Sequence, residues 1–412
     1  MKYSHNPIIS GEGICDPHLH VFGDKMYLYC SHDAQKEDRN FIMHDWCILS
    51  SSDMVHWEIE SMPRPEDTYI GPTKDCWATD AAERNGKYYF YFSNGMTSTG
   101  VAVSDHPGKG FRDALGKPLL PKGLTPTYSY DPAVYVDDDE NHTPYIVFGT
   151  PVWAGGDSYY IARLNEDMIS LAETPKKIIL NDDADDKPFI HKHNGVYYLS
   201  WASHYATADN VYGPYTYRGF CSSSTDHGSF AEWNGQWFQS FTITDPYWSF
   251  RATGLCYVHY RDNGEMVTDQ LIREYGVGQY EGSWNRIEAE WYMQGKGIRK
   301  TELPYGGFGV LADDGGSIRF PNIHDIPENA GIVFYCGMKD KDHEAVIEIH
   351  EDTPDGKLLG VCPVRNPQQH LIVGYDFFDC RLNNRGGDEN LCFVFKGERK
   401  KEILTLDWFK LF

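Results

Sequence analysis

The chain has 412 residues, enough for two or three domains, and its 41% hydrophobic and 24% charged residues describe a folded chain rather than a disordered one. Sixty acidic against 37 basic side chains leave a net charge of −23, a field that repels nucleic acid and anionic lipid. No run approaches the ~18 consecutive apolar residues of a membrane span, so the expected partner is a neutral molecule or one held through a metal ion.

In chain order, short aromatic or β-branched runs alternate with turn formers: KMYLYCSH from Lys25, WCILSSSD, KYYFYFS, GVAVSD, AVYVDDD, PYIVFG, YYIARL, GVYYLSWAS, GQWFQSFT and GLCYVHY. An Asn-Gly pair ahead of an aromatic strand recurs at Asn85, Asn194 and Asn234, the sequence form of a tight type I′ hairpin. Repetition of this unit predicts antiparallel sheets in an array, and about 285 residues at roughly 50–60 per blade give a five-bladed β-propeller. From Asn285 the strands are set off by Gly-rich or charged turns, as in GGFGVL, GGSIRF, GIVFYCG, AVIEIHED and LCFVFKG. The predicted architecture is therefore all-β, a propeller over residues 1–284 followed by a β-sandwich (jelly roll) over 285–412.

Ten cysteines show neither a CxxC pair nor a zinc spacing, and several sit in apolar strands, so buried free thiols are expected. The first residues, MKYSHNPIISGEG, lack the apolar stretch of a leader peptide. A cytoplasmic location is expected if Met1 is the native start, and a secreted or periplasmic one if a leader was removed. The acidic run Asp137–Glu140 reads as a solvated hairpin tip.

Three acids occupy unusual settings: Asp16 in CDPHLHVF, Asp131 in YDPAVYV and Asp186 in DDKPFIHK, each shortly before a strand. Asp-Pro alone is also ordinary turn chemistry. At the start of successive propeller strands, however, such carboxyls converge on the axis. A pair about 6.5–9.5 Å apart suits an inverting glycosidase, one activating water and one protonating the leaving oxygen.

Segments NPII, DPHLHVFGDKMYLYCSHD, FIMHDWCILSSSDMVHWE, CWATDAAERNGKYYFYF, YDPAVYVDDDE, PFIHKHNGVYYLSWA, HGSFAEWNGQWF and FRATGLCYVHYRDNG, in that order, resemble family 43 glycoside hydrolases, especially arabinofuranosidases and β-xylosidases acting on arabinoxylan. The resemblance implies an inverting mechanism with Asp16 as general base and Asp131 tuning the acid. Asp186 stands where the family carries a glutamate acid, and is about one methylene shorter; Asp185 is the alternative acid. It also implies His227 at the propeller centre beside a calcium or other ion linked through water, Arg251 pointing into the site near the acid, and Phe41 and Trp77 lining a sugar pocket. The implied function is release of terminal α-L-arabinofuranosyl or β-D-xylosyl units from neutral plant-type oligo- or polysaccharides. The altered acid and the stretch TPVWAGGDS from Thr150 leave room for another glycone such as galactofuranose, or for a weakly active or inactive sugar-binding protein.

The tail, from RIEAEWY to LDWFKLF, resembles a family 6 carbohydrate-binding module, which implies a structural calcium held by Glu288, Glu290 and Asp407. Its candidate sugar-stacking rings are Tyr305, Phe308, Tyr375, Phe377 and Phe378.

Overall fold

The computed structural model describes residues 5–412 except 38–39, 151–154, 181–184, 222–225, 245, 270–271, 339–342 and 366–373, so part of the TPVWAGGDS stretch lies outside the described residues. Among the described residues there is no α-helix, and no helix is long and apolar enough to cross a membrane. Five four-stranded antiparallel sheets follow one another as the blades of a propeller. Blade 1 holds β1 (Ile14–Phe22), β2 (Lys25–His32), β3 (Trp46–Ser51) and β4 (Glu58–Ser61); blade 2 holds β5 (Cys76–Arg84), β6 (Lys87–Asn94), β7 (Ser98–Ser104) and β8 (Arg112–Asp113). Blade 3 comprises β9 (Ala133–Val136), β10 (Pro144–Thr150), β11 (Ser158–Arg163) and β12 (Lys176–Lys177). Blade 4 comprises β13 (Phe189–His193), β14 (Val196–Trp201), β15 (His204–Ala208) and β16 (Thr216–Phe220). Blade 5 runs through β17 (Gly228–Trp233), β18 (Gln236–Ile243), β19 (Ala252–Tyr260) and β20 (Met266–Thr268).

The three Asn-Gly pairs form the hairpins expected of them. Asn85, Asn194 and Asn234 have φ of 55°, 48° and 55°, and the following glycines 73°, 81° and 76°. Both central residues are thus left-handed, the geometry that matches strand twist and that Asn and Gly tolerate best.

The first strand of each blade faces the axis, and neighbouring first strands are joined by polar links. Asp80 of β5 is fully buried and accepts from His20 of β1 (2.5 Å) and from the Val134 amide of β9 (2.5 Å), while His18 Nδ1 lies 3.2 Å away. This explains His18 and His20, to which the sequence assigned no role: they bolt blade 1 to blade 2. The Leu19 amide donates to Ser229 Oγ of β17 at 2.7 Å, and the His191 ring of β13 stacks on Phe230 at 4.8 Å. Between blades the packing is apolar. Tyr29, Trp46 and Ile48 meet Phe90 and Phe92, and Tyr91, Val101 and Leu120 meet Val134, Ile146 and Phe148. Each such buried side chain contributes about 1.5–3 kcal/mol.

The ring closes where the chain returns. The Ile8 amide donates to the Thr253 carbonyl (2.9 Å), and the Asn6 side chain brackets Leu255, accepting from its amide (2.9 Å) and donating to its carbonyl (2.8 Å).

Asp137 corrects the expectation of a solvated acidic tip. Its carboxylate is buried, accepting from the Tyr197 hydroxyl (2.6 Å), the Tyr135 hydroxyl (3.1 Å) and Lys192 Nζ (2.9 Å), whereas Asp138 beside it is exposed. Three donors converging from β9, β13 and β14 repay its desolvation. All ten cysteines are free and nine are buried, as their apolar strands imply.

The tail builds one nearly closed antiparallel sandwich sheet from β21 (Tyr280–Glu281), β22 (Ile287–Glu288), β23 (Gln294–Glu302), β24 (Phe308–Ile326), β25 (Gly331–Gly337), β26 (Ala345–Glu351), β27 (Leu358–Val364), β28 (Tyr375–Arg381), β29 (Gly387–Gly397) and β30 (Leu404–Leu411). Its main path is β27-β26-β29-β24-β30-β25-β28, with β21 and β23 on β24 and β22 on β30; only β21 runs parallel to its neighbour. By packing, one compact unit comprises Asn6–Ala231 with Phe238–Cys256, and a second comprises chiefly Glu232–Trp237 and Tyr257–Phe412. The second unit thus begins before the expected cut at Trp284. Within it the Gln236 amide donates to the carbonyls of Glu290 (2.9 Å) and Tyr292 (2.7 Å), and the Gly295 amide donates to the Asn234 carbonyl (2.9 Å).

Candidate active site

Asp16 and Asp131 are positioned by the same local device. A following proline disfavours the right-handed helical region. Both aspartates take φ near 50° (51° and 50°), which their short polar side chains tolerate. The Asp16 amide donates to Thr242 Oγ1 of β18 (3.0 Å) and the Asp131 amide to Ser93 Oγ of β6 (3.1 Å). Each hydroxyl belongs to the second strand of the preceding blade. The β1–β2 register shifts between Cys15 and His18, so Asp16 sits in a bulge that re-aims its side chain.

Between the two carboxylates lies His227. Its Nδ1 is 3.0 Å from Asp16 Oδ1 and 3.3 Å from Asp226 Oδ1, and its Nε2 is 3.4 Å from Asp131 Oδ2. Burial opposes a charged imidazole, but Asp16 and Asp131 outweigh it and raise the His227 pKa well above its ordinary value. His227 is therefore a cationic bridge between the expected base and its expected partner.

Arg251 corrects an expectation. It sits on the base side, and its donors are spent on carboxylates. Nη1 and Nη2 reach Asp16 (2.7 and 3.1 Å), Nε and Nη2 reach Asp33 (3.0 and 3.0 Å), and Nη1 also reaches Asp226 (3.0 Å). The five N–H groups of a guanidinium are thereby all used. With a side chain only 4% exposed, Arg251 is engaged by these three carboxylates and holds them in place. Burial raises the Asp16 pKa, but Arg251 and then His227 outweigh it, leaving Asp16 at about 2 and ionised at any working pH.

Asp186 accepts from the Tyr130 hydroxyl (3.3 Å) and pairs with Lys187, whose Nζ also reaches Asp185 (3.2 Å) and lies 3.8 Å from Asp226. Burial pushes Asp185 up to about 6, with its neighbour Asp186 adding to the rise. Asp186 suffers the same burial, yet the Lys187 ammonium holds its carboxyl below the ordinary range. Burial thus favours the neutral form at Asp185, and Lys187 favours the charged form at Asp186. Asp131, inside the same cluster, is raised by burial against the pull of His227.

The expected sugar-pocket aromatics also meet here. Trp77 Nε1 donates to the Phe41 carbonyl (3.1 Å), the Trp77 ring lies 6.1 Å from Tyr130, and the Phe41 ring lies 5.0 Å from the Arg251 guanidinium carbon. Phe41 has a φ of 53°, a left-handed conformation costing a bulky residue about 1–3 kcal/mol.

Asp33, Asp226, Lys187 and Tyr130 were not singled out by sequence. The demand of a buried Arg251 for acidic partners was the available signal for Asp33 and Asp226, and the DHG triplet places Asp226 beside His227.

Among the described residues, Asp16, Asp226 and His227 are the one group of three acids, histidines or cysteines whose ligand atoms lie within 4.8 Å of one another. A directly bound cation there would compete with Arg251 for two of the carboxylates and with the proton on His227, so the set does not fit direct coordination. Glu288, Glu290 and Asp407 are less tightly gathered, but all three are buried. Glu290 Oε2 has no hydrogen-bond partner among the described residues, burial with Glu288 beside it raises Glu290 well above its ordinary pKa, and burial lifts Glu288 to about 7. Arg286 pairs with Glu288 (2.6 Å) and the Tyr305 hydroxyl donates to Asp407 (2.7 Å). A buried, orphaned carboxyl oxygen with a second buried carboxyl raising its pKa suits a hard cation such as calcium.

A family model described as Glycosyl hydrolases family 43 matches residues 4–264. A xylosidase/arabinosidase of Bacteroides ovatus is 30% identical over 65% of this chain and 98% of its own length; an arabinoxylan arabinofuranohydrolase of Paenibacillus polymyxa is 24% identical over 98% of this chain and 73% of its own. A solved family 43 β-xylosidase/α-arabinofuranosidase from a compost microbial metagenome, described as in complex with xylotriose and calcium-free, superposes with a TM-score of 0.57 at 28% identity over 65% of this chain and 98% of that one. A Bacillus subtilis arabinoxylan arabinofuranohydrolase structure in complex with cellotetraose matches the fold along 98% of this chain and 97% of its own, at a TM-score of 0.59 and 21% identity. With the family model covering well over half its length, the chain belongs to the family 43 glycoside hydrolases.

Proposed function

We propose that the protein is an inverting, exo-acting glycosidase that releases terminal α-L-arabinofuranosyl or β-D-xylosyl units from arabinoxylan-type oligo- or polysaccharides. The observation that carries this reading is the axial carboxyl group itself: Asp16 clasped by Arg251, Asp131 bridged to it by His227, and Asp185 and Asp186 side by side on Lys187. The names of the relatives support the choice of glycone. In this mechanism Asp16 takes the proton of the attacking water, which adds to the anomeric carbon as the bond to the leaving oxygen breaks. Asp186, at the position of the family acid, passes on to that oxygen a proton it first takes from Asp185, whose carboxyl burial pushes up to about 6. Asp131, through His227 and its own charge, keeps the acid's proton in place.

We further assign residues 285–412 to a family 6 type carbohydrate-binding module with a structural calcium on Glu288, Glu290 and Asp407. Of its candidate stacking rings, Tyr305 and Phe377 are exposed, whereas Phe308 and Tyr375 are buried. Any ion at the propeller centre would meet His227 through water.

Turnover of aryl α-L-arabinofuranoside, β-D-xyloside and β-D-galactofuranoside by wild type and Asp16→Asn tests the reading. Turnover by wild type, reduced roughly 10²–10⁴-fold in the variant, supports it and names the glycone. The shorter acid and its pairing with Lys187 favour one competing reading, a sugar-binding protein on the same scaffold. Wild-type silence on all three glycosides together with oligosaccharide binding would establish that alternative.

A further inference from the structure

The aromatic groups around the site form two arms that share one link. On the acid side, Asp186 accepts from Tyr130, whose ring neighbours Trp77. On the base side, Asp16 is held by Arg251, whose guanidinium lies over the Phe41 ring. The Trp77 indole N–H, donating to the Phe41 carbonyl, ties the arms together. The base-side arm continues outward, because the Trp248 ring stands 6.4 Å from Phe41 at an interplanar angle of 61°.

Trp248 is 64% exposed, and Tyr247 beside it is 42% exposed. Lys36 Nζ lies 5.4 Å from the Tyr247 ring and 5.6 Å from the Phe250 ring, so this segment is anchored on both sides of an indole that is itself left bare. A large apolar ring costs solvation when exposed, and here it is held two contacts from the catalytic centre. The inner members of the arm, Arg251 and Asp16, are buried and fully engaged with one another, so the outermost ring is the one with a face to offer.

We infer that Trp248 is the leaving-group platform of this enzyme, stacking the pyranose ring of the main-chain xylosyl unit next to the bond that is cut. This rests on the glycosidase reading above. In exo cleavage the terminal unit fills the pocket and the rest of the chain points to solvent, and Trp248 is the solvent-exposed ring in contact with Phe41. A xylopyranose ring carries no hydroxymethyl group and has its substituents equatorial, so both faces present C–H groups to an indole. Phe41, held in its left-handed conformation, sets the Trp248 edge contact and thus the angle of the platform. Trp248 is a specificity-determining residue, sensing the polymer rather than the glycone.

The test compares Trp248→Ala and Trp248→Phe with wild type on two substrates carrying the same glycone, an aryl glycoside and an arabinoxylo- or xylo-oligosaccharide. The loss in kcat/KM on the oligosaccharide is expected to exceed that on the aryl glycoside by about tenfold, to lie mainly in KM, and to be partly restored by phenylalanine. Equal losses on both substrates, or none on the oligosaccharide, overturn the inference. A second measurement separates it from the catalytic reading: in an Asp16→Asn background, the Kd for the same oligosaccharide is expected to rise about tenfold on adding Trp248→Ala. If wild type turns over nothing yet Trp248→Ala weakens binding in this way, the platform stands and the hydrolase mechanism falls. An unchanged Kd sinks the platform.

Discussion

The axial cluster of the propeller and the carboxyl cluster of the sandwich bury the same kind of group and treat it in opposite ways. In the propeller, Asp16 and Asp226 share the Arg251 guanidinium, and Asp185 and Asp186 share Lys187. Asp16 falls to about 2 despite full burial. In the sandwich, Glu288 has one half-exposed arginine and rises to about 7, while Glu290 keeps an oxygen with no hydrogen-bond partner among the described residues. Lys300 is near, but its donors go to Gln236, the Val258 carbonyl (2.8 Å) and His259 (3.0 Å), and burial drops its own pKa to about 7. Burial alone therefore does not fix the state of a carboxyl. The cation built beside it does, and where the chain supplies too little positive charge the carboxyl is pushed towards its neutral form.

Removing the internal cation should have the largest effect. Arg251→Met leaves Asp33 uncompensated and Asp16 and Asp226 with only His227 and Lys187 near them, and denaturant unfolding should show a loss of about 3–5 kcal/mol with no measurable turnover. Stability within 1 kcal/mol of wild type would mean the clasp contributes little.

Splitting the acid pair comes next. Asp186→Asn should lower kcat by roughly 10²–10⁴-fold on a poor leaving group. Asp185→Asn should lose less and flatten the decline of kcat/KM above pH about 6, where the pair gives up its proton. The reverse ranking would make Asp185 the acid. Lys187→Met removes a positive charge from the same pair, so its carboxyls hold their proton to higher pH. The basic limb of kcat/KM should move up by about one unit, and a downward move would contradict the pairing.

The smallest effect is expected in the sandwich. A carboxyl raised in the folded state, as Glu288 is from 4.5 to about 7, favours folding fully below pH 4.5 and loses that advantage as pH rises through 7. Asp16, lowered from 3.8 to about 2, acts oppositely: its contribution is intact above pH 4 and is lost as pH falls through 2. Without calcium, Tm should therefore slip between pH 5 and 7. Saturating calcium should remove that slope and raise Tm at pH 7 by about 2–4 °C, from about 2.7 kcal/mol at a hundredfold excess over Kd. Glu290→Gln should abolish the calcium response, and a response that survives it would place the ion elsewhere.

Much of the scaffold was legible because it is local. Asn-Gly before an aromatic strand specifies a hairpin within a handful of residues, and Asp-Pro ahead of a strand marked Asp16 and Asp131, though not the left-handed backbone that aims them. The electrostatics were less legible because they depend on ring closure. Arg251 meets Asp33 across 218 residues of chain and Asp16 across 235, and no pattern along the sequence orients its five donors. Lys187 hid in plain view within DDKPF, since one lysine after two aspartates also reads as a solvated turn. Asp137 hid in the same manner within an acidic run, its buried role set by Tyr197 and Lys192 from another blade.

Arg251 also has a consequence for synthesis. Because the guanidinium that holds Asp16 lies 235 residues further along, no shorter nascent chain can keep the proposed base ionised in this clasp. The interlock that closes the ring thus also completes the proposed catalytic carboxylate, and a half-made propeller emerging from the ribosome carries Asp16 without its partner.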